Sequence, residues 1–429
     1  MLSREENELI SRTGSGTAMG ELFRRFWMPA LLTSELPEPE SVPVRVRLLS
    51  EDLVAFRDSN GRVGLLGAHC PHRGASLFFG RNEEAGLRCV YHGWKYDITG
   101  QCVDMPSEPP ESTFKDRIRT ISYPCVERAG VVWTYMGPAD LQPAPPDFEW
   151  ARVPESHVVV NKAIASCNYL QAMEGNFDSS HISFLHRRLI DFKQTGLPNG
   201  AGHAARLGYT FNVRDRAPQY TVVETDYGLM LGARRNAGDD GYYWRISQWL
   251  MPVFDMIGHD PGAMPMSAHA AVPMDDEHVW FWAIRWEGDR PLTEAERIEY
   301  SGEEARVPVL PGGFWPRANA SNDYLIDRMA QRTESMTGIP GIGTQDLAMT
   351  ESMGAIVDRT QEHLASSDAA IIRVRQALLD AARDLQRGVE PAPAQRPEVF
   401  HIRPTSVVLP RETPLAGNER VQQLVLAHA

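Results

Sequence analysis

Two short segments decide the fold: Cys70-Pro71-His72 and Cys89-Val90-Tyr91-His92, which read C-x-H and C-x2-H with sixteen residues, 73 to 88, between them. Each segment supplies one cysteine and one histidine, so two thiolates and two imidazoles make a four-ligand metal site. Thiolate and imidazole are the donors that suit iron–sulfur clusters, zinc and copper. The spacing therefore predicts a metal centre held by two loops.

The distribution of the donors separates two kinds of metal site. A zinc finger usually places both cysteines in one short motif and both histidines in the other. In a Rieske [2Fe–2S] centre, two cysteines hold one iron and two histidines hold the other. Since each loop here carries one residue of each type, the pattern favours a Rieske cluster over a Cys2His2 zinc site. The predicted cluster ligands are Cys70, His72, Cys89 and His92.

The composition argues against several classes of protein. The length of 429 residues suggests two or three domains, and 42% hydrophobic residues allow a sizeable core. A net charge of −13 argues against nucleic acid or an anionic membrane as a partner. We see no signal peptide at the charged start and no run of about eighteen apolar residues. The remaining cysteines, Cys102, Cys125 and Cys167, are unpatterned and are expected to be reduced thiols of a cytoplasmic protein.

The order of the elements predicts an α+β fold with two domains. Residues 1–140 contain short alternating strands around the two loops, preceded by helices at 3–12 and 18–26. Prolines near 138–146 mark the boundary. In residues 141–429 the strands follow one another, which favours a larger domain with an antiparallel sheet flanked by helices. Its strand candidates lie at 158–165, 209–213, 220–224, 229–233, 242–250, 267–272 and 279–286.

Helices are also expected at 168–188 and about 321–335. A strong apolar helix follows Ser367-Asp368 and ends at Gly388. The proline-rich tail from residue 391 is expected to be a loop on the surface.

A second motif lies within 168–188, where Asp178, His181 and His186 read D-x2-H-x4-H. A mononuclear non-haem iron(II) site needs two histidines and one carboxylate on one face, with positions left open for O2 and substrate. The spacing fits a helix whose last turn loosens, although such a pair alone is more often a pair of surface or core histidines. An aspartate three residues before a ligating histidine can accept a hydrogen bond from its free N–H.

Several stretches of the chain resemble the α subunit of Rieske-type ring-hydroxylating oxygenases. They are Cys70-Pro71-His72-Arg73-Gly74, Cys89-x-x-His92-Gly93-Trp94 and the D-x2-H-x4-H motif. Gly16–Trp27 and Gln345–Leu364 are similar to the phthalate dioxygenase branch of that family. The resemblance implies a Rieske [2Fe–2S] domain at 1–140 and a catalytic domain with mononuclear non-haem Fe(II) at 141–429.

The resemblance also implies roles for individual residues. His181 and His186 would bind the catalytic iron, and Asp346, in a segment similar to a late helix of the family, would be the third ligand. Glu351 is the alternative, and Asp346 alternatively only helps to start a helix. Asp178 matches the aspartate that links a mononuclear-iron histidine to a cluster histidine, here His92, on a neighbouring subunit.

Arginines of the second domain are candidates to hold a substrate carboxylate, because a guanidinium can grip it with two parallel hydrogen bonds. We favour Arg206 and Arg245, although any single arginine is more often surface-exposed or ion-paired. Ser179, next to the iron ligands, is expected to contact substrate.

The resemblance implies the oxygenase component of an enzyme that dihydroxylates an aromatic carboxylic acid, such as a phthalate, with O2. Electrons would come from an NAD(P)H-dependent flavin/iron–sulfur reductase, and the shared site implies a homotrimer or stacked trimers. Two alternatives remain open. An aryl-ether O-demethylating monooxygenase would use the same iron chemistry, and a non-catalytic Rieske electron carrier would need only a domain like residues 1–140.

Overall fold

The computed structural model describes residues 1–189, 210–212, 214–239, 241–262, 264–301 and 305–427. Three small antiparallel sheets lie before residue 136, and one eight-stranded antiparallel sheet lies after residue 157. The predicted α+β class, an all-β domain and a larger domain on an antiparallel sheet, is confirmed. None of the helices in these described ranges is both long and apolar enough to cross a membrane.

The first region consists of eleven short strands. They are β1 Trp27–Leu32, β2 Val44–Leu48, β3 Glu51–Arg57, β4 Val63–Gly67, β5 Arg81–Glu83, β6 Gly86–Arg88, β7 Lys95–Tyr96, β8 Cys102–Asp104, β9 Ser122–Tyr123, β10 Cys125–Arg128 and β11 Val131–Tyr135. The sheets have the orders β2-β3-β4-β9, β5-β6-β7-β8 and β1-β11-β10. One donor loop follows β4, and the other joins β6 to β7, so both project from short, well-paired strands.

A small core of its own supports the two donor loops. Phe56, Leu66, Leu87 and Tyr96 are fully buried there and pack with the cysteines of both loops. This core is separate from the main core of the molecule. The loops are therefore anchored by local packing.

The larger region is built on the eight-stranded sheet. Its strands are β12 Val158–Ala165, β13 Gln219–Thr225, β14 Gly228–Asn236, β15 Gly241–Leu250, β16 Phe254–Met256, β17 Met266–Pro273, β18 Val279–Trp286 and β19 Thr405–Pro410. They run in the order β12-β18-β17-β16-β15-β14-β13, and β19 pairs with the first half of β15.

Eight α-helices of six or more residues lie around the sheets in the described ranges. They are α1 Arg4–Ser11, α2 Ala18–Phe23, α3 Tyr169–Phe177, α4 Glu294–Glu299, α5 Arg328–Thr333, α6 Ile342–Ser352, α7 Ala369–Gln386 and α8 Glu419–Val425. The helix expected at about 321–335 is divided into a 3-10 turn, Ala320–Leu325, and α5.

Helix α3 positions the second donor set. The Asn168 side chain accepts a hydrogen bond from the Leu170 N–H and caps its start, and α3 lies between the sheet and helices α6 and α7. The prediction of one helix over 168–188 is wrong, because α3 ends at Phe177. The Asp178 carboxylate accepts the Ser180 backbone N–H at 2.6 Å, and this local turn replaces the next helical hydrogen bond.

The two N-terminal helices pack on the larger region. Both contact α7, Glu6 of α1 pairs with Arg383 at 3.0 Å, and the Tyr169 hydroxyl donates to the Ile10 carbonyl at 2.9 Å. The sequence assigns these helices to a domain 1–140, but their contacts join them to the region that follows it.

Two further expectations are corrected. Residues 210–212 are helical where a strand was expected, and Phe211 stacks on Tyr243 of β15 with 5.0 Å between ring centroids. The tail from 391 is not a surface loop throughout, because β19 pairs with β15 and α8 follows it. Pro404 precedes β19 and Pro410 is its last residue, so the tail resembles a loop in sequence although its middle forms a strand.

Candidate metal centres and substrate cavity

The two donor loops have the same backbone design. In the first, the Cys70 N–H donates to the Ala75 carbonyl at 2.8 Å and the Gly74 N–H donates to the Cys70 carbonyl at 2.9 Å. In the second, Cys89 makes the equivalent pair of bonds with Trp94 and Gly93, at 2.8 and 2.9 Å. Both glycines have positive φ, +74° and +81°, which closes each loop tightly.

The cysteine donors of the two loops are more deeply buried than the histidine donors. Cys70 and Cys89 are only 2% and 3% exposed, whereas His72 and His92 are half-buried. The two imidazoles meet edge to face with centroids 4.5 Å apart, and the His72 ring stacks on Trp94 at 4.3 Å. Buried thiols with outer imidazoles fit a [2Fe–2S] cluster that has one iron on two cysteines and the other on two histidines.

The second donor set converges although its members are far apart in sequence. His186 Nε2 lies 3.1 Å from His181 Nε2 and 3.0 Å from Asp346 Oδ1, and His181 Nε2 lies 3.6 Å from the same oxygen. One donor atom from each residue falls within 4.8 Å of the others. Two imidazole nitrogens and a carboxylate oxygen are the donor set of non-haem iron(II) oxygenases.

The outer nitrogen of each imidazole has its own partner. His181 Nδ1 lies 3.4 Å from Asp178 Oδ2, and His186 Nδ1 lies 2.8 Å from Gln345 Oε1. An acceptor at Nδ1 places the ring proton there and leaves the Nε2 lone pair for a cation. Both tautomers therefore suit metal binding.

Local backbone structure brings these groups together. Asp178 ends α3 with a turn, a 3-10 turn over His181–Ser183 follows, and α6 presents Gln345 and Asp346 from the opposite side. Gly343 permits the close approach of α6, since a Cβ at this position would lie 2.4 Å from the Arg306 carbonyl oxygen.

Asp346 divides its two oxygens between different partners. Oδ1 faces the two histidines, and Oδ2 accepts a hydrogen bond from Arg306 at 2.7 Å. Burial by itself raises the pKa of Asp346, but His186 and Arg306 together hold that pKa below its usual value. The alternative third ligand, Glu351, lies elsewhere and accepts hydrogen bonds from the Ser166 N–H and the Tyr324 hydroxyl.

Sequence reasoning missed the residues behind Arg306. This arginine also contacts His269, which pairs with the fully buried Asp255. The signal was an ionisable residue in the middle of an apolar strand, in Phe254-Asp255-Met256 and in Ala268-His269-Ala270.

A cavity of about 520 Å³ opens beside the second donor set. Its walls include His181, His186, Arg245, Arg285 and Arg306. Of the two predicted substrate residues that the structure describes, Ser179 and Arg245, only Arg245 lines it.

Ser179 does not belong to this lining. Ser179 is 2% exposed behind the cavity wall, where its hydroxyl accepts from Arg235 at 2.9 Å and lies 3.5 Å from Arg245. It therefore supports the two arginines from behind the wall. Arg206 lies outside the described residues.

The β domain with its Cys–His loops and the helix–sheet domain with its His–His–Asp set define a class of protein. This class combines an electron-transfer cluster with a mononuclear iron oxygenase site.

Comparisons with known proteins agree with this class. The family model of the Rieske [2Fe-2S] domain matches residues 26–124, and the model "LigXa C-terminal domain like" matches residues 134–414. The 3-chlorobenzoate-3,4-dioxygenase oxygenase subunit of Comamonas testosteroni is 42% identical over 402 residues, 89% of each chain. The phthalate 4,5-dioxygenase oxygenase subunit of Pseudomonas putida is 39% identical over 396 residues, 90% of this chain and 88% of that one. Dicamba monooxygenase in its crystal structure with dicamba shares the fold, with a TM-score of 0.57, 21% identity and coverage of 85% of this chain and 98% of that one.

The chain belongs to the Rieske non-haem iron oxygenases, as an α subunit of the phthalate dioxygenase-like branch. It is an oxidoreductase that incorporates O2, and its cofactors are a [2Fe–2S] cluster and mononuclear non-haem Fe(II). Oxygenase subunits of this kind work with a reductase or ferredoxin partner.

Proposed function

We propose that this chain is the oxygenase component of an enzyme that cis-dihydroxylates an aromatic carboxylic acid, of the phthalate or chlorobenzoate type. The observation that carries the proposal is a pair of arginines, Arg245 and Arg285, which lie in the cavity beside the His–His–Asp set and form no ion pair with a carboxylate among the described residues. The names of the two curated relatives, a chlorobenzoate and a phthalate dioxygenase, support the same substrate class.

The cavity arginines differ in how their charge is balanced. Arg306 forms an ion pair with Asp346, but within the described ranges neither Arg245 nor Arg285 forms an ion pair with a carboxylate. Arg245 donates to the Gly258 carbonyl at 2.8 Å and Arg285 to the Ile284 carbonyl at 2.9 Å.

Burial disfavours the charged form of the Arg245 and Arg285 guanidinium groups. It lowers the pKa of Arg245, and it lowers the pKa of Arg285 to about 10, with the neighbouring Arg306 charge adding to the effect. A substrate carboxylate would offset this desolvation and gain charge-assisted hydrogen bonds. Two such arginines suit an acid with one or two carboxylates.

Replacing Arg245 with glutamine is expected to raise KM for the carboxylated substrate by roughly 10- to 100-fold, because a hydrogen bond to a charged group contributes about 1.5–3 kcal/mol. Steady-state kinetics with the acid and its methyl ester measures the effect, and the ester should show little change. Arg234→Gln is a matched control, since Arg234 pairs with Gln219 on an exposed edge. Equal KM values for Arg245→Gln and the control would remove Arg245 from substrate binding.

We assign the cluster to Cys70, His72, Cys89 and His92, and the mononuclear iron to His181, His186 and Asp346. When bound, the cluster supplies electrons one at a time and the iron supplies the activation of O2. The chain's own contribution is to fix the imidazole tautomers through Asp178 and Gln345 and to hold the aromatic acid by its carboxylate.

The Tyr96 hydroxyl lies 3.2 Å from Cys70 Sγ. Burial and the Cys70 sulfur raise the pKa of Tyr96, so it stays protonated and donates to the thiolate. This hydrogen bond favours the reduced cluster, which carries one more negative charge.

Tyr96→Phe is therefore expected to lower the cluster midpoint potential by about 40 mV, which corresponds to about 1 kcal/mol for a one-electron couple. A redox titration followed by visible absorption measures the shift. Tyr123→Phe, which removes a hydroxyl bonded to Glu51 in the same domain, should leave the potential unchanged. An unchanged potential in Tyr96→Phe would contradict the expectation.

We further propose that the chain works as a trimer or as stacked trimers. Asp178 accepts from His181 on one side, and a cluster histidine, His92, of a neighbouring copy would complete the electron path on the other. A mixing experiment tests this arrangement. Chains with Cys70→Ser and chains with Asp178→Asn are each expected to be inactive, and a mixed assembly should recover activity at sites that combine an intact cluster with an intact Asp178.

We also propose a cytoplasmic location for the protein. Cys70 and Cys89 are assigned to the cluster, and the other three cysteines, Cys102, Cys125 and Cys167, form no disulfide. Free thiols are typical of a reducing compartment.

The function is tested by metal analysis and product analysis on protein purified without air. Three irons and two acid-labile sulfides per chain are expected, against two irons for a simple Rieske carrier. With 18O2 and a benzoate or phthalate, the product should be a cis-diol that carries both oxygen atoms. Loss of a methyl group from an aryl ether, with one labelled oxygen incorporated, would instead establish the O-demethylating activity.

A further inference from the structure

A buried hydrogen-bonded pair stands behind the Arg306 side chain. Asp255 of β16 and His269 of β17 are direct partners across the two strands, and both are 0% exposed. His269 Nδ1 lies 3.1 Å from Asp255 Oδ1, and Asp255 Oδ2 accepts from Asn176 of α3 at 2.8 Å. The pair is thereby tied to the helix that leads into the iron site.

The partners of His269 fix its protonation and its tautomer. Its Nε2 lies 2.9 Å from Arg306 Nη1 and 3.4 Å from Arg285 Nη1. Arginine has donors only, so Nε2 must accept and the ring proton must lie on Nδ1, where it is donated to Asp255. Burial and the two arginine charges also hold the pKa of His269 well below its usual value, in agreement with a neutral ring.

Arg306 thus has two anchors. Nη1 donates to His269, and Nη2 donates to Asp346 Oδ2 at 2.7 Å. With one end fixed on a fully buried ring, the guanidinium holds one oxygen of Asp346 and turns the other toward His181 and His186.

We infer that Asp255, His269 and Arg306 form a positioning chain that presents a single oxygen of Asp346 to the iron. The inference rests on the proposed role of Asp346 as a ligand. His269 does not contact the donor atoms itself. The inference gives it an indirect role in metal affinity, which is the role that hydrogen-bond partners of metal ligands have in other metalloproteins.

The test measures the dissociation constant of Fe(II) for the full chain with its cluster intact, by anaerobic competition with a chromophoric chelator. His269→Phe removes both the donor and the acceptor but keeps an aromatic ring against Phe281, which stacks on His269 with centroids 5.5 Å apart. It is expected to raise the Kd by roughly 10- to 100-fold. His269→Gln, whose amide offers one donor and one acceptor, should recover most of the affinity.

Asp255→Asn extends the test along the chain. The carboxylate offers one oxygen to Asn176 and the other to the Nδ1–H of His269, whereas an amide has a single oxygen. His269 therefore loses its fixed tautomer, and the Kd should rise as in His269→Phe. The matched control is His278→Phe, which breaks another histidine–aspartate contact, to Asp275 at 3.0 Å, in the turn that joins β17 to β18. The control should bind Fe(II) as the wild type does.

A spectroscopic measurement distinguishes a change in the position of Asp346 from a general loss of structure. The electron paramagnetic resonance signal of the nitric oxide adduct of the ferrous site should change in symmetry in His269→Phe and keep its wild-type form in His278→Phe. The visible spectrum of the cluster shows that each variant is folded. If His269→Phe fails to fold, the comparison of Asp255→Asn with His269→Gln decides.

The outcomes distinguish two failures. If Asp346→Ala holds iron as tightly as the wild type, the proposed ligand set is wrong. If Asp346→Ala releases iron while the cluster-containing His269→Phe and Asp255→Asn chains keep the wild-type Kd, the ligand set stands and the positioning chain is overturned.

Discussion

Asp178→Asn is expected to reduce coupled turnover by about 100-fold or more while both metal centres stay bound. The amide oxygen can still accept the Ser180 N–H, so the turn that follows α3 is preserved. The other oxygen, 3.4 Å from His181 Nδ1, becomes an NH2 group that cannot accept from the imidazole. The link between His181 and the cluster of a neighbouring copy is thereby broken.

Single-turnover experiments measure this effect as the rate at which a reduced cluster is oxidised in the presence of substrate and O2. Asp358→Asn is the matched control, since Asp358 closes a similar two-residue turn with the Thr360 N–H on the surface. Full activity of Asp178→Asn would contradict the electron path. Loss of the mononuclear iron would instead show that Asp178 acts mainly by holding His181.

His186→Ala is expected to remove the mononuclear iron and leave the cluster unchanged. His186 Nε2 is central to the donor set, 3.1 Å from His181 Nε2 and 3.0 Å from Asp346 Oδ1, so the remaining two donors make a poor iron site. Iron should fall from three to two atoms per chain with two sulfides retained. Product formation should fall by more than the roughly 100-fold that is typical of changes in outer partners.

The control for this variant is His278→Ala, a change of the same size on the same domain. It should keep three irons per chain and full activity. Three irons in His186→Ala would show that the mononuclear iron binds elsewhere.

Metal ligands that lie close together in the sequence could be predicted from their spacing, whereas the ligand that comes from a distant segment could not. The cysteine–histidine loops were predicted from residues two or three apart, and the structure places all four donors on neighbouring loops. His181 and His186 were likewise five residues apart. Asp346 entered only through resemblance, because nothing in its own segment marks it as the partner of a histidine 160 residues earlier.

The end of α3 escaped prediction for a local reason. The residues after Phe177 are compatible with a continued helix. The Asp178 side chain, however, accepts a hydrogen bond from the Ser180 N–H and offers the backbone an alternative to the helix. Arg306 and His269 escaped because their roles depend on contacts between α6, β16 and β17. A single arginine and a single histidine form no motif whose spacing could predict these contacts.

The position of β19 has a consequence for synthesis of the protein. Ser406 pairs with Arg245 in the register of β15 and β19, so the strand that carries this cavity arginine gains this neighbour only after residues 405–410 have been synthesised. The donor loops and their separate core are complete some 300 residues earlier. Since domains fold as units from the N-terminus during translation, the nascent chain can acquire its cluster well before it can enclose a substrate.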